Sequence, residues 1–237
     1  MRYFALVLIL TSMSVAWGNG PGDGSTNQPS LMMSSSLVRK SYWGIRYEKG
    51  PAPEFKGSAN EMSSAERSGT YGIQYGSYFF DRLMLGVQVG PILLPFPLFP
   101  TGHVQYDFYR GDSLQFSLGG FSGIFGHPYG AGLTGSFNAS HNWRVFVSGQ
   151  WISDAVTYES AIGNEHDNFV SVDTEYSLLL LGTEIVAPKY ENTQMSFSVS
   201  VGYQDYLNYS ITSEDHPSDF KFHDGLSAYI EVKFFLD

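Results

Sequence analysis

The stretch from Leu226 to Leu236 alternates strictly. Leu226, Ala228, Ile230, Val232, Phe234 and Leu236 fall on one side, and Ser227, Tyr229, Glu231, Lys233 and Phe235 on the other. An extended chain points successive side chains to opposite faces, so this segment has one apolar face and one mostly polar, charged face. About eleven residues suffice to cross a bilayer core as a tilted strand. The same period of two recurs upstream and predicts strands over about 39–48, 69–79, 83–90, 102–109, 113–125, 131–140, 143–158, 169–186 and 194–206, with the closing segment as the tenth. The pattern is weak in any one segment and strong in its repetition. It predicts an all-β fold, a closed antiparallel up-and-down transmembrane β-barrel of about ten strands.

The alternation also assigns faces. In the first strand Trp43, Ile45 and Tyr47 oppose Lys40, Tyr42, Arg46 and Glu48. In the fourth, Val104, Tyr106 and Phe108 oppose His103, Gln105 and Asp107. In the seventh, Trp143, Val145 and Val147 oppose Arg144 and Ser148. The eighth begins with Ser171, Asp173 and Glu175 read as inward, and its run Leu178-Leu179-Leu180-Leu181 then hides the parity. The fifth loses its phase at Gly119-Gly120, where a bulge is expected. The predicted lumen-lining set is therefore Lys40, Arg46, Glu48, His103, Gln105, Asp107, Arg144, Asp173, Glu175, Glu231 and Lys233. Both signs of charge are present. Such residues either tune ion selectivity in a pore or pair with one another in a filled barrel. With about ten strands the interior is narrow, which favours a filled or barely open lumen.

The connections alternate in length. Phe80-Asp81-Arg82, Arg110-Gly111-Asp112, Ser140-His141-Asn142 and 188–193 are tight, whereas 49–68, 91–101, 126–130, 159–168 and 211–222 are expected to be the longer ones. The third of these is short and fits least well. Short turns at one end and longer loops at the other are the arrangement of an outer-membrane barrel, with the turns facing the periplasm.

Ahead of the strands, Met1 to Gly18 reads as a cleaved signal peptide. Arg2 supplies the positive start, a short apolar core follows, and Ala16 and Gly18 give a small-x-small site. Residues 19–36, rich in Gly, Asn, Ser, Thr and Pro, read as a flexible periplasmic arm, and residues 37–237 as the barrel.

Composition agrees with this picture and removes some alternatives. Only 15% of residues are charged and 16% are aromatic, with 26 Gly and no Cys. A soluble domain usually carries about 25% charged residues. A closed ladder would hold such a chain without disulfides. The net charge of −10 leaves no basic surface for phosphate, so no nucleic-acid partner is expected.

These features together resemble small bacterial outer-membrane β-barrel proteins of 8 to 12 strands, across about residues 37–237. The C-terminal spacing Gly225, Tyr229, Phe234-Phe235 resembles that family's insertion signal, although this chain ends Leu236-Asp237 rather than on an aromatic. The resemblance implies outer-membrane lipid, lipopolysaccharide and the barrel-insertion machinery as partners. It implies no cofactor and sets no oligomeric state.

Candidate chemistry is sparse. Glu165-His166-Asp167 and Glu214-Asp215-His216, with Asp219, His223 and Asp224, combine acids with histidines on predicted outer loops. Such groups can activate water or bind a metal, as in the barrel proteases of the omptin family. Adjacent loop residues usually point apart and no second acidic pair stands at a matching rim position, so solvated loop charge is the plainer reading. Barrel enzymes acting on lipid A share this architecture, which keeps a lipid A or peptide hydrolase with a rim site as the alternative function. The apolar run Pro91 to Pro100 carries four prolines that deny it a regular ladder. It either meets a membrane or partner surface or packs on the rim. Arg110-Gly111-Asp112 matches an adhesion tripeptide, but Gly-Asp in a tight turn is ordinary turn chemistry. The function expected is a non-enzymatic outer-membrane barrel: structural, surface-interacting or a narrow pore.

Overall fold

The computed structural model describes residues 36–51, 54–56, 62–64, 70–90, 100–123, 128–160, 168–190, 193–212 and 220–236. In chain order its strands are β1 (Tyr42–Lys49), β2 (Glu54–Lys56), β3 (Met62–Ser64), β4 (Thr70–Phe79), β5 (Leu83–Val89), β6 (Pro100–Arg110), β7 (Leu114–Gly123), β8 (Tyr129–Ser140), β9 (Trp143–Ser160), β10 (Asn168–Val186), β11 (Gln194–Thr212), β12 (Phe220–Lys221) and β13 (Gly225–Phe235).

Ten of them close into one barrel in the order β1-β13-β11-β10-β9-β8-β7-β6-β5-β4, with β4 pairing back to β1. The neighbours are antiparallel; β1, for example, sets Arg46 against Glu231 of β13 and against Gly72 of β4. Closure leaves no sheet edge, which is what a strand-built wall needs in lipid.

The two faces separate as the alternation requires. Trp43, Leu85, Val87, Val104, Leu118 and Val147 point outward and are exposed, while Arg46, Gln74, Gln105, Thr134 and Ser148 are buried inside. Each large outward side chain gains roughly 1.5–3 kcal/mol in an apolar surrounding relative to water. An outward apolar band around an inward polar lining is the inverse of a soluble domain, and it makes this a transmembrane barrel.

Four sequence expectations are corrected. Lys40 does not begin the first strand; β1 starts at Tyr42, and Lys40 lies before it, exposed. No bulge occurs at Gly119-Gly120, where β7 pairs β6 without interruption; the register shifts instead at Asp107/Tyr109, Asn138/Ser140 and Glu175/Tyr176. In β10 the even positions from Thr174 to Val186 face inward: Leu178 is 1% exposed and Leu179 61%. Thr174 and Tyr176 are therefore inside, and Asp173 and Glu175 are not lumen residues. The physical reason is length. β9, β10 and β11 run 18, 19 and 19 residues, well past the 9–11 or so that cross a bilayer. Beyond the lipid both faces of the wall meet water, and polarity no longer reports the inside.

The fourth correction concerns the long connections. The first contains β2 and β3 and the last contains β12, and these form a separate three-stranded sheet in the order β12-β2-β3. Phe220 pairs with Phe55 and Lys221 with Glu54. The β1–β4 and β11–β13 connections are thus joined. Residues 91–99 of the proline-rich run, the signal peptide and residues 19–35 of the arm lie outside the described residues.

At the turn end, Gly111 N–H donates to the Leu114 carbonyl at 2.8 Å, so Arg110-Gly111-Asp112 sits in a hairpin turn. The neighbouring hairpin is strained. Phe80 and Asp81 have φ of 52° and 58°, a conformation Asp accepts and a bulky Phe does not favour. Arg39 and Arg110 both donate to the Asp81 carbonyl, at 3.2 and 3.4 Å, and hold this turn in place.

Candidate functional site

The lumen is the candidate site, and the ladder register builds it. Arg46 lies directly opposite Glu231, and Gly44 lies opposite both Lys233 and Gln74. A side chain at Gly44 would put its Cβ 2.8 Å from Gln74 Nε2, so the glycine is what lets these long side chains fold over the wall. Glu231 collects four partners. Lys233 Nζ is 3.1 Å and Arg46 Nη2 3.6 Å from its carboxylate, Ser198 Oγ donates at 3.1 Å, and Gln74 donates through Nε2. Arg46 also donates to Gln88 Oε1 at 3.1 Å, and Lys233 Nζ lies 5.2 Å from the centre of the Tyr42 ring. A charge buried this way is tolerated only where partners replace its lost water.

A second group lies nearer the turn end. Arg144 Nη2 is 2.7 Å from Glu184 Oε2, and its guanidinium lies over Phe146 at 5.7 Å. Glu184 was not among the predicted lumen residues. The parity of Leu178 and Leu180 places it inward, and the four-leucine run concealed that parity. On the far side, Asp107 pairs with Arg39 and accepts from Ser117 Oγ at 2.7 Å. His103 is buried and stacks on Phe121 at 5.4 Å, and Gln105 and Glu48 are buried on the same inner surface.

The opposite part of the lining is small. Thr134 and Ser136 of β8, Ser148 of β9 and Ser196, Ser198 and Ser200 of β11 are buried, with Thr134 donating to Ser148 Oγ at 2.9 Å. Between the two surfaces is a cavity lined by Arg46, Thr134, Phe146, Ser148, Ser200 and Glu231, among others. Its water-accessible volume is about 30 Å³, room for about two waters and not for a larger solute.

Chain preceding β1 enters the barrel at its turn end. Ser36 is fully buried; its Oγ donates to Glu184 Oε1 at 2.7 Å and its N–H to the Tyr78 hydroxyl at 2.5 Å. Leu37 N–H donates to Glu184 Oε2 at 3.1 Å, and Val38 packs on Tyr42, Met84 and Phe235. Sequence reasoning missed this because Ser36 was read as the end of a solvated arm. A short polar residue followed by Leu-Val carries no periodicity that would reveal it.

Of the loop candidates, Glu165, His166, Asp167, Asp215 and His216 lie outside the described residues. His223 and Asp224 are exposed, and Asp224 Oδ1 accepts from Tyr206 N–H at 2.8 Å. Among the described residues no three His, Asp or Glu side chains are grouped to hold a metal.

A closed ten-stranded wall, apolar outside and charged inside, defines a small transmembrane β-barrel of the outer-membrane kind. No protein-family model and no curated protein matches the chain; among solved structures it is similar to a NanC porin solved in a rhombohedral crystal form, at 11% identity, covering 83% of this chain and 100% of that one, with a TM-score of 0.35. The class rests on the strand order and the two faces, not on that likeness.

Proposed function

We propose that the chain is a non-enzymatic outer-membrane barrel whose intact lumen is occluded, so that it serves as a structural and surface-presenting protein rather than an open channel. It is exported by its N-terminal signal, placed by the barrel-insertion machinery, and held in outer-membrane lipid and lipopolysaccharide with its long connections outward. The sheet β12-β2-β3 joins two of those connections and is the surface it presents.

The observation that carries this reading is the four-partner carboxylate of Glu231, which folds the longest polar side chains of one wall across the interior. Reconstitution into planar bilayers tests it. The intact protein is expected to give no lasting conductance steps while showing heat-modifiable gel mobility and partitioning with outer membranes. Stable porin-sized steps from the unmodified chain would overturn the reading.

A further inference from the structure

The turn between β4 and β5 and the turn between β6 and β7 lie side by side, because β5 pairs with β6. They are tied together. Asp107 N–H donates to the Arg82 carbonyl at 2.9 Å, and Arg110 Nη1 donates to the Asp81 carbonyl at 3.4 Å. The outer face beneath them is aromatic. The register shift between Asp107 and Tyr109 leaves Phe108 and Tyr109 exposed in succession, and both rings pack on Phe116, with centres 6.3 and 5.9 Å apart. Phe79, at the end of β4, is exposed as well.

Phe80 is the odd member of this group. It is 92% exposed, so its ring packs on almost nothing in the chain, and its φ of 52° is a conformation that a bulky residue disfavours. Neither burial nor backbone preference accounts for a phenylalanine at this position. A strained, exposed aromatic at the tip of a turn points to a surface outside the chain. The charges around it narrow the choice. Asp81 and Arg82 follow it in one turn, Arg110 and Asp112 stand in the other, and all four are exposed. None of the four forms an ion pair among the described residues, so each turn offers one open cation and one open carboxylate. A purely anionic ligand would meet repulsion as well as attraction there. A headgroup that carries both a phosphate and a primary amine is complementary to both signs, phosphate to guanidinium and ammonium to carboxylate.

We propose that the paired turns form a phospholipid site on the turn-end rim, with Phe80 inserted among acyl chains and Asp81, Arg82, Arg110 and Asp112 holding a phosphoethanolamine headgroup. This rests on the reading of the chain as an outer-membrane barrel with its long connections outward, which sets the turn end in the leaflet built of glycerophospholipid. The face made by Phe108, Tyr109 and Phe116 is the wall against which the chains of that lipid lie. The cost of the Phe80 conformation is then offset by taking its ring out of water into the lipid, and not by any contact within the protein.

The folded barrel in a non-ionic detergent, titrated with lipids of identical acyl chains and read by native mass spectrometry, tests the site. Phosphatidylethanolamine is expected to bind about fivefold tighter than phosphatidylcholine, whose quaternary ammonium has no N–H to donate, and about fivefold tighter than phosphatidylglycerol, which has no amine. That factor is about what one exposed ion pair at its strongest supplies. Asp81→Asn combined with Asp112→Asn should bring phosphatidylethanolamine down to the level of phosphatidylcholine, and asparagine accepts the positive φ at position 81. Arg82→Gln should weaken all three lipids by about fivefold, through the lost phosphate contact. Phe80→Asn relieves the backbone and should nevertheless weaken all three. Equal affinities for the three lipids in the parent overturn the site, and that comparison needs no variant to fold. A folded Phe80→Asn barrel, or a folded double asparagine variant, that binds as the parent does overturns it too. A missing preference in a barrel that still partitions with outer membranes and shows heat-modifiable mobility removes the site alone. A chain that does neither sinks the outer-membrane reading first.

Discussion

Two walls of one lumen carry different instructions. On β1, β4 and β13 the inward positions include Arg46, Glu48, Gln74, Tyr42, Glu231 and Lys233, side chains long enough to cross much of the interior. On β8, β9 and β11 they include Thr134, Ser136, Ser148, Ser196, Ser198 and Ser200, which barely leave the wall. The ladder is the same on both sides. Whether a barrel of this circumference is closed is therefore decided by side-chain length at alternate positions; here long polar side chains fill it from one wall, and an apolar cluster of Phe121, Ile152, Tyr176, Leu178, Leu180 and Tyr229 fills it beyond the serines. The charged wall supplies the filling and the small wall supplies the remaining space.

The comparison predicts unequal responses to truncation. Glu231→Ala should have the largest effect, because it strips Arg46, Lys233, Gln74 and Ser198 of a shared acceptor and removes the carboxylate that stands between two buried cations. Breaking a buried pair by removing one partner costs about 3–5 kcal/mol. Urea unfolding of the reconstituted barrel, read by gel mobility, should show a loss of that size. Ser148→Ala on the small wall is the natural control, with two neutral bonds lost. If the two variants unfold alike, the charged wall is not what holds the interior, and the distinction between the walls fails.

The barrel itself was legible in the sequence because period-two alternation is imposed directly by the lipid-water contrast. Ile230, Val232 and Phe234 had to alternate with Glu231 and Lys233 for β13 to lie in a membrane at all. Where the contrast ends, legibility ends. Asp173 and Glu175 misled because β10 rises beyond the lipid, and Glu184 was hidden because four consecutive leucines satisfy either phase. Long-range pairing left no local trace. The joining of Glu54 and Phe55 to Lys221 and Phe220 and the burial of Ser36 against Glu184 depend on segments about 150 residues or more apart, and neither has a spacing rule.

The small wall can be tested by making it larger. Gly182 of β10 lies between Phe146 and Ser200, and a Cβ there would fall 2.6 Å from Ser200 Cβ and closer still to the Phe146 ring. Ring and backbone-anchored Cβ cannot both yield, although the ring has the cavity to move toward. Gly182→Ala is expected to cost about 1–3 kcal/mol, the usual range for overpacking. A Gly182→Ala barrel as stable as the parent would show that this part of the lumen has room for a methyl group.

The smallest expected effect separates the inside of that wall from its outside. Gly149 lies two residues from Trp151 on β9 and faces outward, and a Cβ added to it would meet nothing within 4 Å. Its backbone is not in the left-handed region, so alanine can adopt the same conformation without strain. Strand-interior glycine is less favourable than alanine by roughly 0.5–1 kcal/mol, from the greater freedom it loses on folding. Gly149→Ala should therefore stabilise the barrel by about that amount in the same urea measurement, with conductance unchanged. The sign matters more than the size. Gly182 and Gly149 belong to adjacent strands and differ in the face they occupy, so opposite signs at the two would show that crowding inside the lumen, and not a need for glycine in the strand, sets the composition of the small wall.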